Sequence, residues 1–312
     1  MRIEYHRTLI ADRVRNDAFK AALSRVIRKG ETVVADIGAG TGLLGLMAAR
    51  LGAREVYLYE MAEVAAVAQE ILKKNRARNC HLMPCHSTEM QDPPRVDVVV
   101  SETLGNYPFE ENIIETMNDA VRRHLKRGGI VIPGRLTQYV APVVTDRIHT
   151  ELTAWERVGN GIDLSPAQVM SLNNIYVRTL LPSELLDEGR SAKAWDEIDF
   201  SVANRTTRKG EARWTPAGNT MIYGFATWWV AELVPGVNLS TAPDAPRTHW
   251  EQLYFPMLRP IKVRGGETIA IALRSRSTMR SGTDIAWTVT RADRSGKVLD
   301  RQAMDLSKGY LP

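Results

Sequence analysis

The sequence has 312 residues, of which 44% are apolar and 25% charged, with 41 Lys and Arg set against 36 Asp and Glu. That balance belongs to a globular protein long enough for two domains, and it excludes a mostly disordered or collagen-like chain. The net charge of +5 is mild for this length and by itself gives no sign of a nucleic-acid partner.

The two cysteines, Cys80 and Cys85, are too few for a disulfide framework or a four-ligand zinc site, so no metal is expected. They read as half-buried thiols in a reducing compartment. No apolar run reaches the ~20 residues that span a bilayer, so no membrane partner is expected. The opening MRIEYHRTLIADRVR lacks the unbroken apolar core of a signal peptide, and a cytoplasmic protein is expected.

From Glu31 to about Gly134, short β-branched runs alternate with helical stretches. ETVVADIG reads as a strand and GLLGLMAARLGA as the helix behind it. REVYLYE, CHLMPC and RVDVVVSE read as further strands, with the helix AEVAAVAQEILKKNRA between the first two. ENIIETMNDAVRRHLKRGG reads as a helix closing on a glycine pair, and IVIPG as the last strand. This alternation predicts a parallel sheet with helices on its faces.

After Pro133-Gly134 the pattern turns to strands separated by turn residues. RLTQYVAPVV, NTMIYGFATWWVAEL, HWEQLYFPML, RPIKVRGGETIAIALRS and DIAWTVTRA predict an antiparallel sandwich or barrel. A mixed segment near 155–194 interrupts them, with helix starts at Ser165-Pro166 and Pro182-Ser183. The expected domains are therefore 1–134, α/β, and 135–312, a β domain carrying the inserted segment.

The strongest local signal is Asp36-Ile37-Gly38-Ala39-Gly40-Thr41-Gly42, which follows the first strand and opens a helix. Glycines there allow a tight turn and close backbone approach to a ligand. A dinucleotide fingerprint would need glycine where Leu43 stands, and no phosphate-binding lysine follows. The spacing suits S-adenosylmethionine (SAM), with Asp36 near its amino-acid end. Glu60 closes the second strand, where a carboxylate can accept hydrogen bonds from both ribose hydroxyls.

RVDVVVSETLGNYPFEENIIETM puts Glu102 at the carboxyl end of a buried strand, and Glu111 stands nine residues on at a helix start. Taken alone, Glu111 reads as an acid complementing the helix dipole, as does Glu110. Beside a methyl-donor site the pair gains another reading. Two carboxylates brought together repel unless a cation lies between them, and a forked guanidinium fits that place.

These motifs make the sequence resemble the protein arginine N-methyltransferase family of class I SAM-dependent methyltransferases. VVADIGAGTG resembles the family's SAM motif and SETLGNYPFEENI its double-glutamate loop. STAPDAPRTHWEQLYF resembles the stretch around its Thr-His-Trp loop, here Thr248, His249 and Trp250, and HRTLIADRVRNDAF its leading helix. The resemblance implies a Rossmann-like domain followed by a β-barrel with a helical dimerisation arm at about 155–194. It implies that Glu102, Glu111 and His249 serve catalysis and that Trp250 lies at the substrate. Arg15 and His6 would contact SAM, together with Asp36, Gly38, Gly40, Gly42 and Glu60. The family's adenine-gripping acid falls at Ser87-Thr88-Glu89. Asp12 and His249 match a pair that ties the leading helix to the β half. Apolar Ile162, Leu164, Val169, Met170 and Leu172 would cover a homodimer interface.

The sequence also departs from the family. Relatives carry a longer leading helix with two tyrosines, whereas five residues precede His6 here, Tyr5 among them. Thr103 and Leu104 replace bulky residues after the first glutamate, Asn106 replaces a tyrosine, and Leu9 replaces a methionine. Arg274, Arg276, Arg280, Arg291 and Arg294 make the β half basic, which disfavours an arginine-rich tail. The expected acceptor is therefore free arginine or a guanidino small molecule, with an arginine-containing peptide or protein as the alternative. Methylation of another nitrogen or an oxygen, or a scaffold that binds SAM without turnover, are the further alternatives.

Overall fold

The computed structural model describes residues 3–157 and 159–309. Two helices lead, α1 (Ile3–Ala11) and α2 (Arg13–Val26). Five strands then alternate with helices: β1 (Val33–Ile37), α3 (Leu43–Arg50), β2 (Glu55–Tyr59), α4 (Val64–Lys74), β3 (Cys80–Met83), β4 (Val96–Ser101), α5 (Ile113–Arg123) and β5 (Leu125–Ile132). β1 is buried along its whole length and β4 nearly so, because helices cover both faces of the sheet. α4 turns Val64, Ala65, Ala68 and Leu72 to it, and α5 turns Ile113, Met117 and Ala120.

All neighbouring pairs are parallel, in the order β3-β2-β1-β4-β5. The direction of winding reverses between β1 and β4, which opens a crevice at their carboxyl ends. Ile37 pairs with Ser101, so Gly38 and Glu102 leave the sheet side by side.

One boundary differs from the sequence expectation. α5 stops at Arg123 rather than at Gly128-Gly129, and β5 starts at Leu125. Leu125 is buried and pairs with Val96, but the next paired residue is Ile130, opposite Val98. The glycine pair thus permits an excursion within the strand, with Gly128 at φ +76°, instead of capping a helix.

The second half is antiparallel. β6 (Arg135–Val143) leads into α6 (Arg147–Leu152), α7 (Pro166–Leu172) and β7 (Tyr176–Arg178). β8 (Lys193–Asp199), β9 (Thr207–Trp214), β10 (Thr220–Val234), β11 (Val237–Ser240), β12 (Gln252–Val263), β13 (Thr268–Thr278), β14 (Gly282–Ala292) and β15 (Val298–Asp305) follow. One sheet runs β7-β12-β10-β6-β8 with β11 added to β10, and the other runs β15-β14-β13-β9. They close into a barrel at two corners. Gln302 of β15 bonds both the N–H and the C=O of Arg259 in β12, each at 3.0 Å. At the other corner Gly210 of β9 lies against the Trp195 carbonyl of β8. Aromatic pairs fill the interior: Phe255 meets Trp287 edge-on at 5.1 Å, and Trp214 tilts on Phe225 at 5.8 Å.

A Cβ at position 210 would lie 1.7 Å from the Trp195 carbonyl oxygen, which is backbone and cannot swing away. Gly210→Ala should therefore destabilise the protein by about 1–3 kcal/mol through overpacking. Urea unfolding of the two proteins measures this, and an unchanged midpoint would refute the tight corner.

Candidate active site

Gly38, Gly40 and Gly42 all take positive φ, at 72°, 56° and 84°. Two of them are also closely approached. A Cβ on Gly38 would fall 2.5 Å from Thr103 Cγ2, and one on Gly40 would fall 3.1 Å from the His6 ring. The loop therefore has the double-glutamate loop on one side and α1 on the other. The Glu60 carboxylate holds it from above, accepting the Gly40 N–H at 2.8 Å and the Ala62 N–H at 2.7 Å. Asp36 accepts the Gly45 N–H of α3 at 2.7 Å. It is 1% exposed, and burial pushes its pKa up to about 7.

The segment after β4 hangs from the barrel. The Trp250 indole N–H donates to the Leu104 carbonyl at 2.8 Å and the Trp229 indole N–H to the Gly105 carbonyl at 3.1 Å. The Glu251 N–H donates to Asn106 Oδ1 at 2.9 Å, and the Tyr107 hydroxyl bonds Ser275 of β13. Trp250, expected at the substrate, is 5% exposed and wedged between Trp229 and His249, so it shapes the loop from behind. Trp229, Asn106 and Ser275 were not legible as site residues, because each matters through a partner more than 100 positions away.

Arg15 closes the other side. Its Nε donates to Glu102 Oε2 at 2.5 Å, its Nη2 pairs with the same oxygen, and its Nη1 donates to Asn16 at 2.8 Å. Burial raises Glu102 to about 6 against the pull of Arg15, and Glu111 adds to the rise. Glu111 lies before α5 rather than in its first turn, since the helix starts at Ile113 behind Asn112. Partial burial raises its pKa, and the Glu60 carboxylate raises it further. Glu110 folds back over Gly105, and burial raises it too, with Glu111 adding to the rise.

Asp12 caps α2 by accepting the Arg15 N–H at 2.9 Å, and its second oxygen accepts the His249 N–H at 2.8 Å. His249 Nδ1 meets that same oxygen at 2.8 Å. Burial alone would raise Asp12, but these hydrogen bonds hold it below the usual range. The ionised carboxylate places the imidazole proton on Nδ1 and leaves Nε2 as an acceptor. Burial lowers His249 despite Asp12, which keeps the ring neutral. His6 is buried over Gly40, and its Nε2 has no partner among the described residues. Ser87 is buried with an unpartnered hydroxyl, Thr88 is half-buried and Glu89 is exposed.

SAM carries a carboxylate, an ammonium, two ribose hydroxyls and an adenine, and the residues here fit it. The glycine cradle admits no Cβ, Arg15 offers a cation, Glu60 keeps free lone pairs, and buried His6 Nε2 awaits a partner. Fold and site together define a class I SAM-dependent methyltransferase joined to a β-barrel.

The profile of the arginine methyltransferase oligomerization subdomain matches residues 135–290, and that of ribosomal protein L11 methyltransferase matches residues 20–158. Protein arginine N-methyltransferase 6 of Xenopus tropicalis is 30% identical over 277 residues, covering 84% of this chain and 80% of that protein. The arginine N(omega)-methyltransferase of Streptomyces achromogenes subsp. streptozoticus is 29% identical over 279 residues, covering 86% and 75%. In fold, the chain is similar to the Trypanosoma brucei PRMT1 enzyme–prozyme complex with AdoHcy, with a TM-score of 0.84, 22% identity and coverage of 96% and 97%. Protein arginine methyltransferase 10 of Arabidopsis thaliana gives 0.81 at 21% identity, covering 98% of each chain. The chain belongs to the arginine N-methyltransferase family, SAM-dependent enzymes that methylate a guanidino nitrogen of arginine. No helix among the described residues is long and apolar enough to cross a membrane.

The raised pKa of Asp36 carries a sign. An acid raised by folding favours the folded state below its unfolded value of 3.8, and that contribution is lost as pH rises through about 7. Between these limits wild type should lose stability relative to Asp36→Asn, which can still accept the Gly45 N–H. Denaturant titrations across pH 4 to 7 test this, and a pH-independent difference would rule it out.

Proposed function

We propose that this enzyme methylates arginine within a protein or peptide, in place of the small guanidino acceptor suggested by the basic charge and the short leading segment. Relatives named protein arginine N-methyltransferase support that reading. Two of the five arginines that had counted against it also lose their force. Arg274 and Arg276 alternate along β13 with Ser275, whose hydroxyl bonds Tyr107 of the glutamate loop. The two arginines therefore point away from that loop.

The observation that carries the mechanism is the juxtaposition of Gly38 with Thr103, which sets the cofactor cradle against the double-glutamate loop. SAM, when bound, supplies an electrophilic methyl group and leaves as S-adenosylhomocysteine. Glu102 and Glu111 would grip the substrate guanidinium, fixing one nitrogen in line and drawing positive charge to the others. Glu102 Oε1 is loosely held, by the Leu104 N–H at 3.2 Å, and can accept that new donor. Arg15 would keep Glu102 oriented and turn Nη1 to the cofactor's carboxylate. Glu60 would take the ribose hydroxyls, the Ser87-Thr88-Glu89 turn the adenine, and His6 the cofactor rim. The proton lost by the methylated nitrogen would pass to a glutamate, with neutral His249 as the relay. Trp250 is assigned to positioning.

Glu111→Gln should lower kcat roughly a hundred- to thousandfold while SAM binding, followed by calorimetry, stays intact. In wild type, kcat/KM should rise with pH through about 6 as Glu102 ionises. Near-normal turnover of the variant would remove the glutamate pair from the mechanism. Arginine-containing peptides should exceed free arginine in kcat/KM by at least about tenfold, and the opposite order would restore the small-molecule reading.

We further propose that this oligomer-family chain forms a homodimer through the segment after α6. Leu172 packs inward with Ile148 and Leu152, whereas Ile162, Leu164 and Met170 stand exposed. Ile162→Asp with Met170→Asp should turn a dimeric mass into a monomeric one in sedimentation, and a wild-type monomer would refute the proposal.

A further inference from the structure

The three loops that enter β1, β2 and β3 lie side by side at the amino ends of the strands, opposite the cofactor crevice. They are tied together. The Gly30 N–H donates to the Gly52 carbonyl at 2.8 Å, the Arg54 N–H to the Thr32 carbonyl at 2.7 Å, and the Asn79 amide to the Ala53 carbonyl at 2.8 Å. The Lys29 stem packs so closely on Gly52 that a Cβ there would meet it at 2.6 Å.

These loops and the helix ends beside them carry Arg28, Lys29, Arg50, Arg54, Lys73, Lys74, Arg76 and Arg78. All eight are exposed, and none forms an ion pair among the described residues. The acids among them are Glu31 and Glu55, and Glu55 is held by His81 at 2.6 Å. Eight cations against two acids make +6 in stretches 28–31, 50–55 and 73–79, while the whole chain sums to +5. Residues 1–134 sum to +2, so outside these stretches the α/β half is −4, and within that half the positive charge is concentrated on this one end. Arg95, Lys126 and Arg127 extend it toward β4 and β5, where Asp97 is taken by Lys126 at 2.8 Å.

We propose that this face docks the phosphate backbone of double-stranded DNA. A row of unpaired cations on loops about 5 Å apart neutralises successive phosphates and releases their counterions. The surroundings select this occupant. No large apolar side chain is exposed in these loops, so a lipid surface or an apolar-anchored protein partner gains no foothold. They hold no aromatic ring on which an unpaired base could stack. The polar amides that could read a ribose 2′-hydroxyl are already used, Asn75 by Arg50 at 2.7 Å and Asn79 by Ala53.

The test is fluorescence anisotropy of the full chain with a labelled duplex of roughly 20 base pairs, across a salt series. Affinity should fall on the order of a thousandfold between roughly 50 and 200 mM salt. Lys73→Glu with Arg76→Glu and Arg78→Glu should weaken binding more than about tenfold and flatten the salt slope. Methyl transfer to an arginine peptide should not change, since these residues lie at the opposite end of the sheet. Arg28→Gln with Arg50→Gln, on the other two loops, should act in the same direction and decides the matter if the triple variant melts early. Absence of binding at roughly 50 mM salt would overturn the proposal, as would unchanged binding by both variants. So would tighter capture of single-stranded DNA, duplex RNA or polyglutamate.

Discussion

Everything at the reaction centre depends on two indole hydrogen bonds. The loop bearing Glu102 and Glu111 has carbonyls at Leu104 and Gly105 that face the barrel, and Trp250 and Trp229 supply the donors they need. A buried carbonyl without a partner costs about 1–3 kcal/mol, so the loop has little freedom to leave this position. The barrel is therefore more than an appended domain. Without it the crevice at the carboxyl ends of β1 and β4 would have a cradle and one glutamate strand, but no fixed loop opposite the cofactor. Asp12 makes the matching connection from the other direction, capping α2 with one oxygen and holding His249 with the other.

Charge inside this enclosure is deliberately unbalanced. Glu102, Glu110 and Glu111 all sit above their ordinary range, chiefly through burial, with Glu111 adding to the rise of the other two and Glu60 to that of Glu111. Arg15 answers one of them and leaves the others uncompensated. On the mechanism proposed above, such a site would bind a delocalised cation with added gain, because the guanidinium would remove a repulsion between the carboxylates. The same preference would localise charge on the nitrogens held by the carboxylates, which is the redistribution that methyl transfer to the third nitrogen requires.

The parts legible in the sequence were those whose signal is local. The glycine turn, Glu60 and Glu102 follow buried strands at fixed offsets, so strand periodicity placed them. The strands of the β half that the sequence hid are instructive. β9 reads TRKGEARW, where charged residues fill the outward positions, and only Ala212 and Trp214 declare a buried face. β15 is similar, with Gln302 and Met304 buried and Arg301 and Ala303 exposed. The end of α5 was misplaced because Gly128-Gly129 resembles a helix stop, whereas Leu125 had a strand partner that only the folded sheet reveals. Glu110 looked like dipole decoration, and its fold over Gly105 could be found only in three dimensions.

Net charge illustrates the same point at the scale of the molecule. A sum of +5 is compatible with an even scatter of basic residues, and so read it says little about partners. The parallel sheet sorts those charges by strand direction. Carboxyl ends collect Glu60 and Glu102, while amino ends collect the entry loops with their eight cations. Opposite ends of one sheet thus attract opposite ions, and at the ~8–10 Å screening length of physiological salt neither end cancels the other. On the two proposals made above, a basic substrate and a polyanion would bind without competing, because the fold places the glutamates of the crevice and the cations of the entry loops at opposite ends of the same strands.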